Sequence, residues 1–217
     1  MDRIKTVKHL EKLGVIAVVR VDNNSKVLSI IDALCEGGVN AIEITMTTPR
    51  AESLIDNIAS QYNDKVLIGA GSVLDSETAR AVILAGARFI VSPILNIETI
   101  HIAHHYDVVA IPGAFTPTEI LRAWENGADI VKIFPATAMG PQYFRDIHAP
   151  LPYVKLTPTG GVSLENTAAF IKSGASCVGV GSALVSKEII NSSDWSGLTK
   201  RAIAFRAAVE EGRNVIN

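Results

Sequence analysis

Short apolar runs recur along this chain, each followed by a stretch with apolar residues at helical spacing. That alternation limits the possible folds more than any other feature. The runs are Val15–Arg20, Ala41–Thr45, Val66–Gly71, Phe89–Pro93, Val108–Pro112, the centre of Asp129–Thr137 (D-I-V-K-I-F-P-A-T), Tyr153–Thr159 and Cys177–Gly181. They are rich in β-branched residues and apolar at both parities, the pattern of strands covered on both faces in a parallel sheet. Helices are expected between them: residues 1–13, with Ile4, Val7 and Leu10 on one face; Val27–Leu34, capped by Asn24 or Ser25 and stopped at Gly37–Gly38; and Pro49–Gln61. Further helices are expected over Ser76–Ala85, Ile97–His105, Thr116–Asn126, P-Q-Y-F-R-D-I-H and Ser163–Ser173, with a C-terminal one within 191–217, from Trp195 to about Glu211. An internal echo supports this reading. Gly38-Val39, Gly86-Ala87, Gly127-Ala128 and Gly174-Ala175 each end a helix and lead into an even-numbered strand. Glycine suits the left-handed turn such a stop requires. Eight strands and eight helices in 217 residues predict one domain over 1–217, a (β/α)8 TIM barrel with an N-terminal helix.

Composition narrows the function classes. A formal charge of -2 gives no sign of a nucleic-acid or membrane-surface partner. The longest apolar runs are strand-sized, so no bilayer span is expected, and the N-terminus lacks a signal-peptide apolar block. Cys35 and Cys177 lack CxxC spacing, which predicts two free, buried thiols in a reducing cytoplasm.

In a barrel of this kind the active site lies at the C-terminal ends of the strands. The polar residues there include Arg20, Glu43 with Thr45 and Thr47, Ser72, Ser92, Lys132, Thr157 with Thr159, and Ser182. Lys132 stands inside I-V-K-I-F, where burial would lower its pKa and make its amine a better nucleophile towards a carbonyl carbon. Glu43 lies between Ile42 and Ile44, and both charges are best tolerated on the inner face near the wet end. The pair fits two readings, a structural ion pair or class I aldol chemistry. In the second, the amine forms a Schiff base that stabilises a carbanion, and the buried acid moves protons. Lys155 is a rival lysine placed earlier on its strand, with internal pairing near the barrel bottom as the competing reading. Asp107 and Asp129 precede their strands and belong to the opposite end, and Asp75 reads as a helix cap. T-P-T-G-G-V-S (Thr157–Ser163) and V-G-V-G-S-A-L (Val178–Leu184) place Gly160, Gly161, Gly181 and Ser182 at two helix starts, after strands seven and eight. Backbone N–H groups at such starts can cradle a phosphate.

With these residues assembled, the chain resembles the 2-keto-3-deoxy-6-phosphogluconate (KDPG) / 4-hydroxy-2-oxoglutarate (KHG) aldolases. The likeness is carried by E-I-T-M-T-T-P, G-A-G-S-V, I-V-S-P, I-P-G, V-K-I-F-P-A, P-T-G-G-V and V-G-V-G-S-A-L, in the family's order over about residues 10–187. The resemblance implies a cytoplasmic, metal-free, cofactor-free class I aldolase, a homotrimer, acting on a phosphorylated 2-keto-3-deoxy sugar acid and releasing pyruvate. It implies Lys132 as the Schiff-base lysine and Glu43 as the general acid/base. Ser72 would lie near the pyruvyl carboxylate, Pro93 and Phe134 would wall the pocket, Thr159 would contact the sugar-acid chain, and Gly160, Gly161, Gly181 and Ser182 would hold the phosphate. Many members carry a carboxylate-binding arginine where this chain has Thr47, and Arg20 is expected to supply that charge. This departure leaves KDPG, its galactonate epimer (KDPGal) and KHG open as substrates. Three other readings compete: a metal-dependent epimerase-like barrel, a thiamine-phosphate-synthase-like barrel, and a catalytically silent phosphate-binding barrel. The first would need histidines at strand ends, whereas His9, His101, His104, His105 and His148 all fall outside strands.

Overall fold

The computed structural model describes residues 2–214. In chain order the elements are α1 (Arg3–Leu13), β1 (Val15–Val19), α2 (Val27–Glu36), β2 (Ala41–Thr45), α3 (Ala51–Tyr62), β3 (Leu67–Gly71), α4 (Ser76–Leu84), β4 (Phe89–Val91) and α5 (Ile97–His105). There follow β5 (Val109–Ile111), β6 (Gly113–Ala114), α6 (Pro117–Glu125), β7 (Val131–Ile133), α7 (Gly140–His148), β8 (Leu156–Pro158), α8 (Leu164–Lys172), β9 (Val178–Val180), α9 (Lys187–Ser192) and α10 (Trp195–Asn214). Met1 and residues 215–217, the outermost positions of the two expected terminal helices, lie outside the described residues.

All strand pairs are parallel, as the two-sided apolar runs require. They form a curled six-stranded sheet, β5-β4-β3-β2-β1-β9, and a three-stranded sheet, β6-β7-β8. The expected fifth strand is split. Pro112 has no N–H to donate, and the chain on either side of it serves one sheet and then the other. Across this break Lys132 N–H donates to Pro112 O at 2.8 Å. At the other edge, isolated bridges join Leu156 to Ala175 and Thr159 to Gly179.

Side-chain parity sorts the core into two layers. Ile30, Ile42, Ile44, Ile55, Val131 and Ile133 belong to the large layer between sheet and helices. Ile16, Ala41, Leu67, Phe89, Val91, Val109, Ile111, Ile130 and Cys177 form a second cluster on the other face, joined by Val7 and Leu10 of α1. Ala41 and Ile130 therefore fix the parity of Glu43 and Lys132, two residues further on. Both charged side chains point away from the helices.

Several boundaries differ from expectation. Helix α3 begins at Ala51 after a left-handed Arg50 (φ 53°) rather than at Pro49. Asp75 caps α4, as its helix-start setting suggests, by accepting from Thr78 N. Asn23 caps a short 3-10 turn before α2, which itself has no side-chain cap. Ile4 is exposed, so only Val7 and Leu10 of the expected apolar face are buried. Cys177 is buried and Cys35 half-buried, both as free thiols.

Candidate active site

Strands β2 and β7 carry the two central groups. Both are buried, Glu43 at 3% and Lys132 at 5% exposure. Glu43 lies in register between Val18 of β1 and Gly69 of β3, and Lys132 between Gly113 of β6 and Thr157 of β8. Room for the carboxyl group comes from Gly71, where a Cβ would overlap the Glu43 carboxylate. That glycine is a site residue the sequence reading passed over, although an interior strand glycine is an ordinary sign of close approach.

No N···O contact within 4.0 Å joins Glu43 and Lys132. Burial pushes the Glu43 carboxyl above the usual carboxylate range, against the opposing pull of the Lys132 and Arg20 charges. Burial likewise pushes the Lys132 ammonium below its ordinary value; Glu43 resists that shift and Arg20 adds to it. One group is held towards its neutral acid and the other towards its neutral amine, the forms that proton transfer and nucleophilic addition need. Lys132 Nζ also stands 4.7 Å from the centroid of the Phe134 ring.

The remaining predicted residues of this rim stand at or just beyond the C-terminal ends of β1, β2, β3, β4 and β7. Phe134, 37% exposed, and half-buried Pro93 border a cavity of about 640 Å³ shared with Ile94, Phe115 and Arg122. Ser72 adopts a left-handed backbone (φ 59°) directly after β3. Thr45 and Thr47 share a hydroxyl–hydroxyl hydrogen bond of 2.9 Å, Thr45 buried and Thr47 exposed. Arg20 is exposed, with no ion-pair partner within 4.0 Å among the described residues, yet its charge acts on both central groups. Asp22, two residues further on, faces Lys187 at 3.6 Å. Ser92, buried two residues before Ile94, accepts from the Ile94 N–H at 3.2 Å.

The two glycine loops after β8 and β9 are built partly as expected. Gly160 (φ 82°) and Gly161 (φ 75°) take the left-handed conformation ahead of α8. Thr159 packs over Gly179, where a Cβ would meet its hydroxyl. The expected helix start at Gly181–Ser182 is instead a turn, in which Leu184 and Val185 N–H both donate to Gly181 O at 2.9 Å; α9 begins only at Lys187. The donor count survives this correction. The N–H groups of Gly161, Val162, Ser182 and Ala183 have no protein acceptor among the described residues.

Lys155 does not join the group. Its Nζ pairs with Glu11 of α1 at 2.8 Å, beneath the inner cluster. Asp129 holds Arg3 at 2.9 Å and His104 at 3.2 Å, and Asp107 accepts from the Arg3 N–H, at the ends where strands begin. No group of three or more His, Cys, Asp or Glu able to hold a metal occurs among the described residues. No described helix is long and apolar enough to cross a membrane.

The family model "KDPG and KHG aldolase" matches residues 6–201. The chain belongs to this family. It is an aldolase, a carbon–carbon lyase. It is 39% identical over 174 residues to the 2-dehydro-3-deoxy-6-phosphogalactonate aldolase of Escherichia coli (strain K12), covering 80% of this chain and 85% of that one. It is 34% identical to the 2-dehydro-3-deoxy-phosphogluconate aldolase of Pseudomonas aeruginosa, covering 84% and 83%. Among solved structures, the Legionella pneumophila KDPG aldolase, with pyruvate captured at low pH as a covalent carbinolamine intermediate, superposes with a TM-score of 0.83. That match has 31% identity and covers 88% of this chain and 93% of the other. The site described above thus sits in a KDPG/KHG aldolase.

Proposed function

We propose that this aldolase cleaves KDPG to pyruvate and glyceraldehyde 3-phosphate through a Schiff base on Lys132. The observation that carries the reading is the buried, unbonded Lys132–Glu43 pair, with an amine shifted down and an acid shifted up. The neutral amine adds to the C2 carbonyl; the carbinolamine hydroxyl takes the Glu43 proton and leaves as water, giving an iminium and the Glu43 carboxylate. Glu43, as carboxylate, takes the C4 hydroxyl proton while the C3–C4 electron pair moves into the iminium, freeing the aldehyde and leaving an enamine. Glu43 then returns the proton to C3, and water releases pyruvate from Lys132. Arg20 holds the pyruvyl carboxylate in place of the arginine absent at Thr47, and Ser72 lies beside that carboxylate. Pro93 and Phe134 wall the reacting centre, while Thr159 contacts the sugar-acid chain. The open N–H groups around Gly160, Gly161, Gly181 and Ser182 hold the phosphate.

The same reading takes the two sheets as one (β/α)8 barrel, closed through Pro112 and the two isolated bridges, forming a single domain over 1–217. It takes the enzyme as a cytoplasmic homotrimer that uses neither metal nor cofactor. KDPGal is the second substrate reading, favoured by the 39% identity to a phosphogalactonate aldolase. KHG, cleaved to pyruvate and glyoxylate, is the third. Two measurements test this. Pyruvate with borohydride should add one pyruvate-derived mass, mapped to the Lys132 peptide; label on Lys155 would overturn the assignment of the nucleophile. Comparing kcat/KM on KDPG, KDPGal and KHG then ranks the substrates, and KDPG should lead.

A further inference from the structure

The turn that follows the lysine strand lies flat on the glycine loop after β8, and three contacts hold it there. Thr159 N–H donates to Ile133 O at 3.1 Å, and Ala136 N–H donates back to Thr159 O at 2.9 Å. The third contact is Thr137 against Gly161. A Cβ on Gly161 would sit 2.5 Å from Thr137 Oγ1 and 2.8 Å from Thr137 Cα. Gly161 therefore has two reasons to be glycine, its positive φ and the approach of Thr137. The result is a hydroxyl lying beside the open Gly161 and Val162 N–H groups. That hydroxyl has no hydrogen-bond partner among the described residues, and Thr137 is exposed at the mouth of the loop.

We propose that Thr137 is a specificity-determining residue whose hydroxyl donates to the substrate phosphate, completing a donor set otherwise made of backbone N–H groups. The proposal rests on the phosphate reading above and adds the one side chain brought to that loop by the lysine strand itself. A phosphate monoester presents several acceptor oxygens, so a hydroxyl beside two N–H donors meets one without moving the loop. KHG, a shorter substrate that ends at its C5 carboxylate, places no phosphate oxygen in that loop. The threonine methyl, unlike the hydroxyl, is not part of this role.

The test compares Thr137→Val, which exchanges the hydroxyl for a methyl, with Thr137→Ser, which keeps it. For each variant the readout is the KM for KDPG divided by the KM for unphosphorylated KHG, with kcat recorded on both. Thr137→Val should raise this ratio about tenfold, the size of one hydrogen bond to a charged group, and Thr137→Ser should restore it to within about twofold of the parent. An unchanged ratio in Thr137→Val, in an enzyme that still prefers the phosphorylated substrate, overturns the role of Thr137 alone. So does a parallel loss on both substrates, which would mark the residue as a structural prop. A parent enzyme with no preference for the phosphorylated substrate would sink the phosphate reading, and Thr137 with it.

Discussion

The strand-end face that carries Lys132 and the face beneath it, closed by α1, hold the same kinds of charge wired in opposite ways. Below, Lys155 pairs with Glu11 at 2.8 Å, and Asp129 pairs with Arg3 and His104 while also accepting the Ala110 N–H at 2.9 Å. These side chains are partly solvated, between 12% and 37% exposed. Above, Lys132 and Glu43 are more deeply buried and make no such contact. A buried charge without a partner is costly, and the usual relief is a shifted pKa. Pairing below keeps the charges as charges and ties α1 to the strand starts. Separation above lets burial act on each group alone. The two lysines, Lys155 just before β8 and Lys132 in β7, show the contrast at its clearest: the first is anchored by an ion pair, the second is buried without one.

The largest test of this contrast exchanges the two lysines. Lys132→Ala should abolish pyruvate trapping and cleavage, while Lys155→Ala keeps both. The Lys132 variant should melt no lower than the parent, because the substitution removes a desolvated ammonium rather than a satisfied ion pair. Trapping that persists in Lys132→Ala and disappears in Lys155→Ala would invert the comparison. Measurement needs only intact mass after borohydride and a thermal melt.

Next in size is Glu43→Gln, which should slow cleavage by roughly 10²–10⁴-fold while leaving pyruvate affinity nearly unchanged, since an amide cannot exchange the proton. The same variant reports burial through stability. The folded-state pKa of Glu43 is raised, so between the ordinary carboxylate value and the raised one the folded protein binds a proton that the unfolded chain has released. Wild-type stability contributed by this group is therefore lost as pH rises through that window. Glu43→Gln should gain melting temperature relative to the parent over the same rise. A difference that is flat with pH would mean the carboxyl is better solvated than its burial indicates.

Most of this contrast was legible in the sequence, for a simple reason. Strand parity is a local property, so Ile130–Lys132 and Ala41–Glu43 announce a shared face before any fold is known. Position along a strand likewise separates Lys155 from Lys132 by depth. Non-local features were hidden. Nothing near Arg3 announces a partner 126 residues away in Asp129. The clearance that Gly71 gives Glu43 and the approach of Thr137 to Gly161 arise only when strands and loops are assembled. The turn at Gly181 was misplaced as a helix start because a glycine followed by serine suits either. Pro112, read as the end of a strand, proved to be the hinge between two sheets.

A smaller effect separates the exposed charge of the upper face from its buried ones. Arg20→Ala should weaken pyruvate trapping and cleavage by at least about tenfold, the loss expected for one charge-assisted contact to a carboxylate. Adding Thr47→Arg should return part of it, because Thr47 follows the same strand as Glu43 and faces the same rim. Unchanged kinetics in Arg20→Ala would make it a solvated rim cation whose field reaches the site without touching the substrate.

The smallest effect belongs to the lower face and is the one that isolates pairing itself. Glu11→Gln leaves the shape of α1 intact but removes the partner of Lys155. The side chains of the pair are 37% and 30% exposed, so water screens them and compensates either one when the other is lost. The expected cost is therefore about 0.5–1 kcal/mol, the range of solvent-accessible ion pairs. In a chain of this size that corresponds to a melting temperature lower by roughly 2–4 °C at most. Raised salt should shrink the difference, because exposed pairs are screened within a Debye length of about 10 Å at 0.1 M. Cleavage should stay within about twofold of the parent, since Lys155 pairs with Glu11 on the face opposite Lys132 and Glu43. A large loss of activity with little loss of stability would instead show that the anchored lysine reaches the site, and the division between the two faces would fail.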